Sequence, residues 1–241
     1  MLARLKQPSQ YLGNEINAIR KDPLKVKLRV ALAFPDLYEI GTSHFGMQIL
    51  YHILNAHPDI AAERVFAPAT DMDHHLRNSG LRLFSLESRL PLERFDIIGF
   101  SLLYELNYTN VLTILELSGI PFYAAQRDAS FPLIIAGGPC TCNPEPVADF
   151  FDAIVIGDGE NVTLQLAEGW MQWKKDSGSD KEALLKRWSK IEGVYIPSFF
   201  KLQYDGCGFQ TLKPQYSDYK QVTRTLVADL DQVHFPDKPI I

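Results

Sequence analysis

Two glycine turns contain the residues of this 241-residue chain that are best placed to hold a ligand. They are Gly137-Gly138-Pro139 and Gly157-Asp158-Gly159-Glu160, and each follows a short apolar run, at residues 133–136 and 153–156. Such runs are typical of buried parallel strands. Glycine lets the backbone turn tightly and lets a ligand come close, and open parallel sheets bind ligands at the carboxyl ends of their strands. The sequence therefore predicts a ligand site built on two strand ends.

The acidic residues of the second turn restrict what this ligand can be. A dinucleotide-binding fingerprint would have glycine or alanine where this chain has Val162, and Asp158 and Glu160 would face the pyrophosphate. Because like charges repel each other there, we expect no NAD-type ligand. Glu160 suits the start of a helix, where the dipole favours a carboxylate, and it can also accept hydrogen bonds from ligand amides or hydroxyls.

Three other groups of side chains could do chemistry, and each also has a plainer explanation. Residues 71–75 (DMDHH) include four side chains that could bind a metal, but no second cluster has zinc spacing, so a solvated helix start is favoured. Cys140, Cys142 and Cys207 form no C-x-x-C motif, and we expect free thiols. Ser101 lacks a G-x-S-x-G frame, which leaves a strand-end turn or a polar contact to the ligand.

Alternating strands and helices position these residues. Strands are predicted at residues 26–34, 62–67 and 95–100 and at the two apolar runs, with an edge strand within 81–88. Helices are predicted at 44–56 (capped by Thr42 or Ser43), 71–77 (capped by Thr70), 107–118 (ended by Gly119) and 161–175. This order predicts a doubly wound, Rossmann-like α/β fold with about five parallel strands and helices on both faces. Its crevice is expected between the loops at 35–43, 101–107, 137–146 and 157–160.

The chain divides into three predicted parts. Residues 1–25 form a polar arm, broken by Pro8, Gly13 and Pro23, and residues 26–176 form the α/β domain. Residues 177–241 form a connector with a short helix at 181–190 and a β-ribbon from strands at 193–196, 199–204, 211–214 and 222–228. The chain ends on two apolar residues, Ile240 and Ile241, with nothing predicted to bury them, and we expect the natural chain to continue.

Composition narrows the range of partners. The net charge is −5, from 24 basic and 29 acidic residues, and no basic cluster suggests a nucleic-acid surface. No apolar run approaches the roughly 18–20 residues of a membrane helix, and the N-terminus lacks the apolar core of a signal peptide. Three cysteines, an odd number, suit a reducing cytosol. We therefore expect a cytoplasmic protein with no membrane partner.

Several phrases of the sequence together resemble one protein class. PDLYEIG, FDIIGFSLLYEL and LIIAGGPCTCNPEPVADFFDAIVIGDGE are similar to the N-terminal cobalamin-binding-like domain of radical S-adenosylmethionine (SAM) proteins. Its pattern of Gly-Gly-Pro, Pro-Glu and Asp-x-x-x-x-Gly-(Asp/Glu)-Gly-Glu corresponds here to Gly137–Pro139, Pro144-Glu145 and Asp152–Glu160. The longer phrases resemble an uncharacterised bacterial family with this architecture. The likeness extends over nearly the whole chain.

The resemblance implies a cofactor-binding or regulatory domain of a radical SAM enzyme, without catalysis of its own. The implied cofactor is cobalamin, lying over the strand ends. The expected contacts are Asp36, Tyr38, Gly41, Ser101, Gly137, Gly138, Pro139, Glu145, Gly157, Gly159 and Glu160. The implied partner is the protein's own C-terminal radical SAM core.

Two departures from the class limit what the resemblance implies. The C-x-x-x-C-x-x-C motif that holds the [4Fe-4S] cluster is missing, so cluster and SAM binding are expected only in the full-length protein. Other cobalamin proteins ligate cobalt with a histidine in Asp-x-His-x-x-Gly. The loop from Asp36 to Gly41 has Tyr38 in that region, and a phenol is a poorer cobalt ligand than imidazole. Cobalamin is therefore expected to bind without a protein histidine ligand.

Two alternatives remain open at the level of sequence. The domain can be a structural or docking module without a cofactor, in which case Tyr38, Phe45 or Tyr104 should fill the space over Gly137 and Gly157. It can also be a flavodoxin-like binder of a phosphate ligand, although the acidic turn at 157–160 disfavours this.

Overall fold

A six-stranded sheet forms the centre of the protein, whose computed structural model describes residues 5–22, 24–176 and 178–241. The strands are β1 (Leu28–Phe34), β2 (Ile60–Phe66), β3 (Ile97–Ser101), β4 (Leu133–Gly137), β5 (Ala153–Val155) and β6 (Val194–Tyr195). Their order is β2-β1-β3-β4-β5-β6, with β1 to β5 parallel and β6 antiparallel to β5. The predicted α/β sheet with five parallel strands is therefore confirmed.

Helices cover both faces of this sheet, as predicted. They are α1 (Tyr38–Gly41), α2 (Phe45–Ala56), α3 (Thr70–Ser79), α4 (Tyr108–Ser118), α5 (Glu160–Lys175) and α6 (Lys181–Trp188). One buried cluster joins α2, α5 and α6 to the sheet, and a second joins α3 and α4 to its other face. Because both faces are covered, most residues of the central strands are apolar, as the sequence indicated. None of the helices in the described ranges has the length and apolar content that a membrane crossing requires.

The helix starts differ from the predicted ones. The cap of α2 is neither Thr42 nor Ser43 but His44, whose Nδ1 accepts a hydrogen bond from the Met47 amide at 3.1 Å. Thr70 is the first residue of α3 and does not cap it. The loop predicted at 35–43 contains the short helix α1, whose turn carries the chain far enough to put His44 at the cap position. Gly119 ends α4 in the left-handed conformation, as predicted.

The predicted ribbon and edge strand need correction. The ribbon has two strands, β7 (Phe200–Tyr204) and β8 (Gln210–Pro214), because residues 193–196 supply β6 to the main sheet. Residues 222–228 make only an isolated bridge, between Thr225 and Gly157. Residues 81–88 form no strand. Glu63 binds the Ser85 hydroxyl at 2.6 Å and the Ser88 amide at 3.1 Å, and so holds this segment as a turn.

The two terminal segments meet beside α2. Ile16 and Ile241 exchange backbone hydrogen bonds, and Ile240 is only 5% exposed, so the prediction that nothing buries it is wrong. In the arm, Glu15 lies 3.1 Å from the buried Arg64, which also binds Glu87 at 2.6 Å. The division at residues 25 and 176 stays a prediction, and positions 1–4, 23 and 177 of those parts lie outside the described residues.

Candidate functional site

A cavity of about 270 Å³ lies at the carboxyl ends of the parallel strands, between the sheet and helices α2 and α5. We call it the carboxyl-edge cavity. The strands contribute Val30, Leu32, Gly99, Phe100, Ser101, Ile135, Ala136, Gly137 and Val155 to its lining. The helices and loops contribute His44, Gly46, Leu50, Leu103, Gly138, Pro139, Gly157, Gly159, Glu160 and Thr163. Most of these side chains are apolar, so the cavity suits an apolar group with a few polar contacts.

Three glycines leave this cavity open. A Cβ atom built on Gly99 would lie 3.6 Å from Ile135 Cγ1 and 3.8 Å from Leu32 Cδ2, which is ordinary van der Waals contact. On Gly137 it would meet only Val155, at 3.9 Å, and on Gly159 it would meet Leu50 at 3.4 Å. A side chain would therefore fit at Gly99 or Gly137, and its absence makes the space.

Gly138 and Gly157 are glycines for another reason. Both have positive φ angles, +110° and +109°, and backbone from another segment packs against each Cα. At Gly138 this is Leu102, whose carbonyl oxygen would lie 2.7 Å from a Cβ, and at Gly157 it is Thr225. These two glycines serve the turns and the close approach of the chain itself.

The two carboxylates of the turn at 157–160 have different surroundings. Asp158 accepts a hydrogen bond from the Val227 amide at 2.8 Å and so holds the C-terminal segment beside the turn. Glu160 begins α5 and lines the carboxyl-edge cavity, and its Oε2 is buried without a hydrogen-bond partner among the described residues. A buried carboxylate oxygen without a partner has an unmet need for a donor, which a ligand can supply.

Of the eleven predicted contacts, seven line the cavity: Ser101, Gly137, Gly138, Pro139, Gly157, Gly159 and Glu160. The other four do not. Asp36 binds the Leu37 amide, the Tyr38 hydroxyl donates to Glu15 at 2.9 Å, and Gly41 packs against Phe34 and Phe66.

Glu145, the fourth, lines a separate cavity of about 700 Å³ beneath the β7–β8 hairpin. It accepts a hydrogen bond from the Tyr195 hydroxyl at 2.5 Å. Burial, and then the carboxylate of Glu145, raise the pKa of Tyr195, so the phenol keeps its proton and remains a donor. This hydrogen bond links β6 to the loop after β4.

The cysteines are free thiols, as predicted. Cys140 is buried, and burial raises the pKa of its thiol, whereas Cys142 and Cys207 are exposed. Because thiolates are the reactive form, we expect two thiols to react rapidly with Ellman's reagent in the native protein and the third only after unfolding. Three fast thiols would show that Cys140 is accessible.

No group of three metal-binding side chains occurs in the described ranges, 71–75 included.

Residues 46–197 match the family described as "Radical SAM proteins, N-terminal". This match covers more than half of the chain. The chain belongs to this family. The family assignment agrees with the resemblance carried by the glycine turns. Of the residues that line the carboxyl-edge cavity, all but Val30, Leu32 and His44 lie within the matched range.

Similar proteins are longer than this radical SAM N-terminal domain. The uncharacterised protein MJ0966 of Methanocaldococcus jannaschii is 25% identical over 144 residues, 59% of this chain, and the match spans only 27% of that protein. TsrM of Kitasatospora setae, a radical S-adenosylmethionine methyltransferase, has been solved with cobalamin and a [4Fe-4S] cluster bound. That structure is 14% identical, with a TM-score of 0.43, over 88% of this chain and 31% of its own. The structure of TsrM with tryptophan and a SAM analogue bound is also 14% identical. Its TM-score is 0.42, over 75% of this chain and 29% of its own.

Sequence reasoning missed His44 and Gly99 as cavity residues. In the sequence, His44 is notable only for its closeness to Tyr38, and the structure places the imidazole in the cavity and the phenol outside it. Gly99 interrupts an apolar strand, and a glycine inside a strand often marks a place where a ligand or another backbone comes close. That signal is present in the sequence FDIIGF.

Proposed function

We propose that this radical SAM N-terminal domain binds cobalamin over the carboxyl-edge cavity, without a cobalt ligand from this chain. The observation that carries the proposal is the apolar space between the sheet and the helices α2 and α5, opened by Gly99 and Gly137 at the carboxyl edge. Ligands of open parallel sheets bind at this edge.

The size of the cavity constrains how such a cofactor would fit. At about 270 Å³ it is just below the roughly 300–1,000 Å³ of pockets that enclose whole small ligands. A corrinoid is much larger, so only part of it would enter. An apolar planar group, such as the benzimidazole of the nucleotide tail, matches the apolar walls, and the corrin ring would then lie above the strand ends.

The polar groups of the cavity suit the edges of cobalamin. The partnerless Oε2 of Glu160 can accept a hydrogen bond from an amide N–H, and the Ser101 hydroxyl can donate or accept one. Cobalamin carries several amides around its ring. A phosphate group bound at the start of α5, as in the flavodoxin-like alternative, would instead meet the carboxylate of Glu160, which disfavours that alternative.

His44 is the one histidine among the described residues that line the cavity, and its geometry argues against cobalt ligation. Its Nδ1 already accepts the Met47 N–H, so the proton of the neutral ring is on Nε2. A protonated nitrogen has no lone pair for a metal. When bound, cobalamin would supply cobalt redox and methyl-carrying chemistry, and the residues of this chain would bind and orient it.

The docking alternative predicted side chains over Gly137 and Gly157. Tyr38, Phe45 and Tyr104 are all absent from the cavity lining, and Tyr104 is 59% exposed. This supports the cofactor hypothesis over an empty structural module. The exposed apolar side chains at the same edge, including Ile40 and Leu106, support the proposal that the radical SAM core faces the cavity. The [4Fe-4S] cluster and SAM are proposed to belong to that core.

The test is to add hydroxocobalamin to the purified chain. We expect a shift of the corrin absorbance on titration and a pigment that stays with the protein through gel filtration. An unchanged spectrum and a colourless protein at high micromolar concentration would reject cobalamin binding by this domain.

A further inference from the structure

His44 lies where helix α2 begins and also lines the carboxyl-edge cavity, so one imidazole borders both. We propose that His44 donates its Nε2–H to an oxygen acceptor of the cavity ligand, while its Nδ1 caps α2. This inference rests on the proposed function of the cavity. It assigns a ligand contact to a residue outside the eleven expected ones, and it makes His44 a donor instead of a metal ligand.

The hydrogen bond to Met47 fixes the protonation pattern of the ring. The Met47 amide donates to Nδ1 at 3.1 Å, so Nδ1 carries a lone pair and no proton. Burial lowers the pKa of His44, and the ring is therefore neutral at pH 7. A neutral imidazole with a bare Nδ1 has its proton on Nε2. The ring nitrogen that is left for a ligand is thus a hydrogen-bond donor.

The packing around the ring holds it in place. The Phe34 ring lies 5.2 Å away, centroid to centroid, on the β1 side. At position 46, a Cβ would lie 2.9 Å from His44 Cε1, so Gly46 makes the room that the imidazole occupies. Among the described residues, the His44 side chain makes its hydrogen bond through Nδ1, and Nε2 makes none and is not one of the fully buried atoms that lack a partner. A donor held beside an apolar cavity without a partner is suited to a ligand oxygen.

His44 and Glu160 give the cavity a donor and an acceptor. An amide satisfies both, since its carbonyl accepts and its N–H donates. In a corrinoid, the oxygen that faces His44 can belong to a ring amide or to the phosphodiester of the nucleotide tail. Both are oxygen acceptors, and ligands with and without the tail distinguish them.

The experiment separates capping from ligand binding. Asparagine is a good N-cap, so His44→Asn keeps an acceptor for the Met47 amide, but its shorter side chain places no donor at the position of Nε2. His44→Ala loses both. His52→Asn, on the same helix and outside the cavity lining, is the matched control. Affinity for hydroxocobalamin is measured by absorbance titration, and fold stability by thermal unfolding.

We expect His44→Asn to unfold near the wild-type temperature and to bind about tenfold more weakly, the usual cost of one lost hydrogen bond. His44→Ala should bind as weakly and also unfold at a lower temperature, and His52→Asn should bind normally. Wild-type affinity in His44→Asn would overturn the proposal and leave His44 as a cap alone. With cobinamide, which lacks the nucleotide tail, a persisting tenfold loss assigns the acceptor to a ring amide, and no loss assigns it to the tail.

A second measurement needs no ligand. The ¹⁵N chemical shifts of the His44 ring should show a protonated Nε2 and a bare Nδ1 at pH 7. The opposite tautomer would overturn the inference even if cobalamin binds. If the tautomer is as expected but the wild type binds no corrinoid, the proposed function fails, and the donor role toward a corrinoid fails with it.

Discussion

Replacing Gly99 with valine should weaken hydroxocobalamin binding by about 100-fold or more while the domain stays folded. Gly99 lies in the middle of β3, and its missing side chain is part of the space of the carboxyl-edge cavity. A Cβ there makes ordinary contacts with Ile135 and Leu32, so the strand need not move, and β-branched residues suit strands. The valine methyls would then occupy the space that the ligand needs.

The control is the same change at an open position. Gly206 lies in the β7–β8 hairpin, where a Cβ would have no atom within 4 Å and the φ angle is not positive, so Gly206→Val should bind as the wild type does. Circular dichroism and thermal unfolding check that Gly99→Val is folded. If folded Gly99→Val binds with wild-type affinity, the ligand does not enter the cavity between sheet and helices, and the proposed binding mode is wrong.

The sheet and most of the cavity floor follow from local signals. The runs at 30–34, 97–100 and 133–136, in β1, β3 and β4, hold no charged residue because both faces of the sheet are covered, and each is followed by proline, serine or glycine. Parallel strands bring their carboxyl ends to one edge. Ser101, Gly137 and Glu160 are 59 positions apart at most, and topology alone predicts that they share one site.

The loop after β1 could not be predicted from local signals. The position of Tyr38 depends on Glu15, which is 23 residues earlier in a polar arm without a recognisable pattern. Helix α1 then carries the chain far enough to bring His44 to the cavity. Contacts between residues so far apart in sequence leave no periodic pattern. The sequence therefore could not show that His44, and not Tyr38, lines the cavity.

The place of the sixth strand was mispredicted for a related reason. A strand at 193–196 was predicted but assigned to the ribbon, and β6 has only two residues, Val194 and Tyr195, too few for their pattern to show which sheet they join. Its place in the main sheet is secured by the hydrogen bond from Tyr195 to Glu145, 50 residues away. A Pro-Glu motif that resembles a cofactor-site signature thus makes a contact within the scaffold, and the same holds for Asp152.

Replacing Asp152 with alanine should lower the free energy of unfolding by about 3–5 kcal/mol, the usual cost of breaking a buried ion pair from one side. Asp152 is the first residue of the pattern at Asp152–Glu160 that resembles the radical SAM class, and its side chain is 1% exposed. Its Oδ2 accepts from Arg127 at 3.2 Å and from the Ile134 amide at 2.7 Å, and its Oδ1 lies 2.5 Å from Lys181 Nζ. Urea unfolding measures the loss, from the midpoint and the slope.

The cost arises because the partners of Asp152 stay buried after it is removed. The Arg127 side chain is fully buried, and burial lowers the pKa of its guanidinium, an effect that the carboxylate of Asp152 opposes. Without Asp152 the Ile134 amide also loses its side-chain acceptor. Asp149→Ala, an exposed aspartate three residues earlier, is the matched control and should change stability by less than about 0.5 kcal/mol.

Cobalamin binding by the Asp152→Ala variant distinguishes a scaffold role of Asp152 from a cofactor role. Asp152 joins the loop before β4, the start of β5 and the start of α6, and it is absent from the lining of the carboxyl-edge cavity. We therefore expect any Asp152→Ala protein that remains folded in the cold to bind hydroxocobalamin as the wild type does. A stable variant that loses cobalamin would instead assign this aspartate to the cofactor site.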